Sequence, residues 1–117
     1  MDTRAIGTLG ERIAESFLIL KGYQILRRNY RFEGREVDLL ARVGDRLVAV
    51  EVKLRRGDRF GRAVEAVDRR KISRLRTALV GAFREQKQFL VPRIDLVVID
   101  LDRGLEQMTV RHIEAVG

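Results

Sequence analysis

The sequence predicts an α/β fold: one mixed β-sheet flanked by helices, in the order helix, strand, hairpin, helix, strand and terminal strand. Three observations carry this expectation. A helical apolar period opens the chain, a hairpin with apolar residues on both faces follows, and a second helix separates that hairpin from a strand almost wholly apolar between charged ends. A sheet with apolar residues on both faces needs cover on both sides. The second helix is long enough to act as a crossover, so one strand pair should be parallel.

Residues 3–21 read as a helix, with Asp2 or Thr3 as cap, Ile6, Leu9, Ile13, Phe17 and Leu20 as its apolar stripe, and Gly22 as its stop. Residues 23–32 read as a strand, with Tyr23 and Ile25 inward and Arg27-Arg28-Asn29-Tyr30-Arg31 exposed or functional; Glu33-Gly34 forms a turn. The hairpin spans 36–54. One face carries Val37, Leu39, Ala41, Val48, Val50, Val52 and Leu54; the other gathers Glu36, Asp38, Glu51, Lys53 and Arg55 at one end. A basic loop covers 55–67, and Asp68 to Gln86 reads as the second helix, with Ile72, Leu75, Leu79 and Phe83 on one side. Arg93 to Asp100 is the buried strand, and Gln107 to Ile113 the last. No repeat or domain boundary interrupts residues 1–117, which form one domain.

The hairpin carries the chemistry. Gly44-Asp45 is a two-residue turn candidate, and closing it there sets Val43 opposite Arg46, Asp38 opposite Glu51 and Glu36 opposite Lys53. Directly opposed side chains have Cβ atoms ~4.5–5.5 Å apart, and like charges so placed are destabilising. A divalent cation removes that repulsion. Mg²⁺ or Mn²⁺ chooses carboxylate oxygens, and the backbone carbonyl of Val52 at the strand end is a further donor. Lys53 lies two residues beyond Glu51 and faces the same way, so it can orient a water or stabilise a pentavalent phosphate. The set Asp38, Glu51 and Lys53 therefore suits metal-assisted phosphodiester hydrolysis. An ordinary Glu36–Lys53 ion pair with Asp38 as a rim carboxylate is the bland alternative. Glu11 and Glu15, at i and i+4 on the first helix, read as a solvated face unless that helix approaches the hairpin.

Composition narrows the partners. The 117 residues carry a formal net charge of +7, which favours a polyanion, nucleic acid over membrane. From Lys53 to Arg76 there are ten Lys or Arg against three acidic residues. Arg31, Arg55, Arg56, Arg59, Arg62, Arg70, Lys71 and Arg74 are the expected phosphate contacts. There is no cysteine, no signal-peptide pattern and no apolar run near the ~20 residues that span a bilayer, so no membrane role and a cytoplasmic location are expected. The single His112 reads as surface or structural.

Taken in order, Gly7-Thr8-Leu9-Gly10-Glu11, Gly22-Tyr23, Asn29-Tyr30-Arg31, Gly34-Arg35-Glu36-Val37-Asp38-Leu39-Leu40, Val50-Glu51-Val52-Lys53, Gly61, Ala66-Val67 with Lys71, and Arg93-Ile94-Asp95 resemble the YraN family of the PD-(D/E)XK nuclease-like superfamily. The chain is also similar to archaeal Holliday-junction resolvases. It departs from the family pattern at Arg35, where a glycine is common, and at Ile94, where a phenylalanine is. The resemblance implies a restriction-endonuclease-like α-β-β-β-α-β core. It makes Glu11 a metal ligand beside Asp38 and Glu51, with Glu15 secondary, and Lys53 the catalytic lysine. It also implies a divalent-metal-dependent endonuclease on branched or single-stranded DNA, and a homodimer, since cutting a junction takes two active sites. A non-catalytic nucleic-acid-binding module, for DNA or RNA, and a domain whose basic face meets an acidic protein remain the alternatives.

Overall fold

The computed structural model describes residues 3–57, 67–104 and 106–117. The elements are α1 (Thr3–Leu20), β1 (Gln24–Phe32), β2 (Arg35–Val43), β3 (Arg46–Arg56), α2 (Arg69–Glu85), β4 (Val91–Leu101) and β5 (Met108–Ile113). The cap expected at Asp2, the Thr3 side chain, Arg59 and Arg62 lie outside the described residues. The five strands form one sheet in the order β1-β2-β3-β4-β5. β3 and β4 are parallel, joined across α2, and the other neighbours are antiparallel. The mixed sheet flanked by helices is therefore as the sequence predicts.

Two tight turns set the first three strands. Glu33 and Gly34 both take positive φ, 51° and 75°, as a two-residue type I′ hairpin turn requires. Gly44 alone takes φ 57° in the next turn, and Val43 pairs with Arg46, the expected register.

Each face of the sheet has its own core. On the α2 side, Leu40, Leu47, Ala49, Leu96 and Val98 pack with Leu75, Ala78, Leu79 and Ala82. On the α1 side, Leu39, Ala41, Val48, Val50, Val97 and Ile99 pack with Ala14 and Leu18.

Four details differ from the expectation. The buried line of α1 is Gly10, Ala14 and Leu18, while Leu9 and Leu20 are exposed. Small residues let the helix sit close: a Cβ added at Gly10 would lie 3.0 Å from Leu54. Val37 packs on the α2 side although Leu39 faces α1, so strict alternation fails between them. β3 continues through Arg55 and Arg56, which were expected in a loop, because β4 runs alongside and pairs with them at Asp100 and Leu101. β4 begins at Val91 rather than Arg93.

The buried stretch of β4 also holds two carboxylates. Asp100 is held by Arg55 at 2.8 Å and Arg111 at 2.6 Å. Asp95 accepts from Arg93, the Tyr23 hydroxyl, the Ala115 N–H and His112 Nε2, the last at 2.8 Å. Lys21 Nζ, which can only donate, lies 2.7 Å from His112 Nδ1, so Nε2 carries the proton given to Asp95. His112 is thus structural, as one of its two sequence readings has it.

Candidate functional site

The site grows from a break in the sheet. The β2–β3 ladder runs from Val43↔Arg46 to Leu39↔Val50 and stops. β1 pairs Arg28 with Leu39 and Tyr30 with Val37 in one register, and Asn29 and Asp38 lie between these pairs. Asn29 takes φ 50°, a left-handed conformation that Asn tolerates better than other non-glycine residues. Here β2 turns over, Val37 and Leu39 go to opposite faces, and Asp38 aims at β3. Its Oδ2 accepts the Val52 N–H at 2.8 Å, replacing the backbone partner lost where the ladder ends. The Val52 carbonyl leaves the strand on the same side. The sequence signal was the Asn in Arg27-Arg28-Asn29-Tyr30-Arg31, which strand patterning could not interpret.

Glu51 follows Leu47 and Ala49 on the α2 face and is 7% exposed. Its carboxyl lies close enough to that of Asp38 for each to affect the other's ionisation. Burial first, and then the Asp38 charge, push Glu51 up to about 7, against the pull of Lys71. Burial raises Asp38 as well, opposed by the Val52 N–H. The two acids therefore come together as expected, although the ladder ends one pair short of them and Asp38 reaches across the gap.

The lysine does not fall as expected. Lys71 Nζ, at the start of α2, sits 2.8 Å from Glu51 Oε1. Asp68 caps that helix by accepting the Lys71 N–H at 2.9 Å, which fixes the first turn against the site. Lys53 is exposed and makes no ion pair or hydrogen bond with the described residues. The expected Glu36–Lys53 opposition is not part of the ladder; Glu36 pairs with Arg31 at 3.2 Å.

Glu11 lines the groove on the α1 side, within the charge field of the site. Its carboxyl is raised by burial and then by the charges of Asp38 and Glu36, so the helix does approach the hairpin. Glu15 instead binds Arg28 at 2.7 Å. Among the described residues, no three acidic or histidine side chains stand close enough to form a ready-made cation site.

A groove lies on each side of the sheet near this break. On the α2 side, about 470 Å³ is lined by Gly34, Arg35, Glu36, Glu51, Lys71 and Arg74. On the α1 side, about 510 Å³ is lined by residues that include Glu11, Arg12, Glu15, Arg28 and Asn29. Of the expected phosphate contacts, Lys71 and Arg74 line the first groove, joined by Arg35, which sequence reasoning missed. Arg31, Arg56 and Arg70 are exposed, whereas Arg55 is engaged with Asp100.

Fold and site together define an α/β protein of one mixed sheet, with an acid pair, one member buried and the other half-buried, where two strands part and cations along the adjoining groove. Residues 10–99 match the family described as "Uncharacterised protein family UPF0102", and the chain belongs to it. It is 39% identical to a UPF0102 protein of Renibacterium salmoninarum over 113 residues, 96% of this chain and 95% of that one. A UPF0102 protein of Beutenbergia cavernae is 40% identical over 114 residues, 97% and 96% of the two chains. One of Carboxydothermus hydrogenoformans is 38% identical over 101 residues, 86% of each. No helix of the described residues is long and apolar enough to cross a membrane.

Proposed function

We propose that this chain is a divalent-metal-dependent DNA endonuclease of the PD-(D/E)XK nuclease-like superfamily, hydrolysing phosphodiester bonds in branched or single-stranded DNA. One observation carries the reading: a half-buried Asp38 and a buried Glu51 lie beside each other where β2 and β3 part, next to a groove lined by Arg35, Lys71 and Arg74. Two adjacent carboxylates partly or wholly withdrawn from water oppose folding, so a structural role accounts poorly for them. Their all-oxygen donor set fits Mg²⁺ or Mn²⁺.

Asp38 and Glu51 would hold the ion, with the Val52 carbonyl facing the same space and Glu11 joining from α1. A cation bound there supplies Lewis-acid activation of water and phosphodiester. Lys53, exposed and two residues beyond Glu51 on the same face, places positive charge beside the phosphate. Lys71 neutralises Glu51 in the metal-free protein and, with Arg35 and Arg74, receives the nucleic-acid backbone.

The test is a panel of duplex, single-stranded and junction DNA with Mg²⁺ or Mn²⁺. Asp38→Ala and Glu51→Ala should each lower cleavage by at least about 10²-fold, and Lys53→Ala similarly, with binding retained. Lys71→Ala should weaken binding several-fold and leave residual cleavage. Equal cleavage by wild type and Glu51→Ala would sink the proposal.

The Lys71–Glu51 ion pair favours a second reading, a nucleic-acid-binding module without catalysis that accepts DNA or RNA, because an ammonium already occupies the acid. Salt-sensitive binding with no cleavage anywhere on the panel would support it.

A further inference from the structure

The C-terminal end of α2 and the segment leading into β4 carry a surface that neither the sheet nor the acid pair uses. Val80 and Phe89 are 47% and 75% exposed. Phe83 packs edge-on against Phe89, with ring centroids 5.6 Å apart and planes at 87°. Together with Leu79 and Pro92 they line an open groove of about 500 Å³ flanked by Arg76 and Arg84. Lys87 is exposed next to it in the chain. Among the described residues, neither Arg84 nor Lys87 has an ion-pair partner. The one acidic residue of α2, Glu85, is turned away and bonds the Tyr30 hydroxyl at 3.0 Å. The groove is therefore apolar at its centre and cationic at its rim, with no acid of its own.

A contiguous apolar surface left in water marks an interaction site more often than a packing accident. The rim says what kind. We propose that this groove docks an acidic segment of a partner protein carrying one or two bulky apolar residues. Those residues fill the space against Leu79, Val80 and Phe89, and flanking carboxylates meet Arg84 and Lys87, while Arg76 donates to the Gly117 carbonyl. A second copy of this chain fits poorly, since face-to-face association sets one arginine rim against another on a chain of net charge +7. A nucleobase could stack on Phe89 but would leave the aliphatic wall of Leu79, Val80 and Pro92 uncovered. Phe83 lies about 18 Å along α2 from Lys71, so a docked segment leaves the acid-pair groove open. The inference is independent of the nuclease reading.

The probe is a fluorescein-labelled synthetic peptide alternating Glu or Asp with Leu or Phe, followed by anisotropy. One control replaces its acids with Lys, and another its apolar residues with Ser. The full chain should bind the parent peptide at least about tenfold more tightly than either control, and Phe89→Ser and Arg84→Glu should each weaken binding by about tenfold or more. Arg84 is exposed, so Arg84→Glu should keep the wild-type melting temperature, and Phe89→Ser, which loses the ring contact with Phe83, should lower it by only a few degrees. Three results would overturn the proposal. One is equal peptide binding by wild type and both variants. Another is a dimer in sedimentation velocity that disappears in Phe89→Ser. The third is an oligothymidine that needs Phe89 while the peptide does not bind.

Discussion

Asn29 is the residue on which the site's geometry turns. Its φ of 50° lets β1 follow the break that aims Asp38 at Val52. Asn29→Gly should therefore be tolerated. Asn29→Val, which resists the left-handed region, should cost about 1–2 kcal/mol in denaturant unfolding and lower divalent-cation affinity together with it. Glu51 shows the opposite balance. Its ionised form is disfavoured by burial and by Asp38, and the partner it would leave, Lys71, is 42% exposed. Glu51→Gln should raise the melting temperature in EDTA by a few degrees, about 1 kcal/mol, while removing any stabilisation by Mn²⁺. Asp95 sets a pH dependence. Burial alone would raise its carboxyl, but hydrogen bonds from His112, Arg93 and the Ala115 N–H overcome that and hold it at about 2. An unfolded Asp titrates near ~3.9, so this stabilisation is full above about pH 4 and drains away as pH falls towards 2. It is on the order of 2–3 kcal/mol. Asp95→Asn should accordingly be less stable than wild type at pH 7, and urea titrations should show the gap closing between pH 4 and 2.

Among the elements, the two helices are seated by their smallest residues. Helix propensity alone says that Gly81 weakens α2 and that alanine would add about 1 kcal/mol. Packing says otherwise: a Cβ there would lie 2.3 Å from the ring of Phe32, which is half-buried between α2 and the sheet. Gly81→Ala should destabilise by about 1–3 kcal/mol, and Gly81→Ala in a Phe32→Leu background should recover part of the loss. Gly10 does the same for α1 against Leu54. This close seating rotates α1 so that Glu11 reaches the charge field of Asp38 and Glu36, and turns Leu9 and Leu20 to solvent.

At the scale of the whole molecule, α2 divides its cations between two surfaces. Lys71 and Arg74 meet the acid pair, whereas Arg76 and Arg84 flank the apolar groove, so one helix serves two surfaces. DNA affinity should fall linearly on a logarithmic salt scale, and replacing Lys71 and Arg74 with Gln should reduce that slope by roughly two. Filter binding between 50 and 200 mM salt, taken as about the useful range, checks this.

The local and periodic features could be read without coordinates. The Gly44-Asp45 turn, the Val43–Arg46 register, the parallel crossover through α2 and the doubly buried β4 all follow from period, turn chemistry and length, which act over a few neighbouring residues. What remained hidden depends on contacts between segments distant in the chain. The rotation of α1 follows from Gly10 meeting Leu54, the reversal at Asp38 from the left-handed Asn29 on a neighbouring strand, and the ammonium on Glu51 from a helix that returns to the hairpin's end. The buried roles of Asp95 and His112 arise likewise from β4, β5 and the Tyr23 turn converging. Sequence periodicity fixes which faces are apolar. Only packing decides which way each face turns, and so which cation meets which acid.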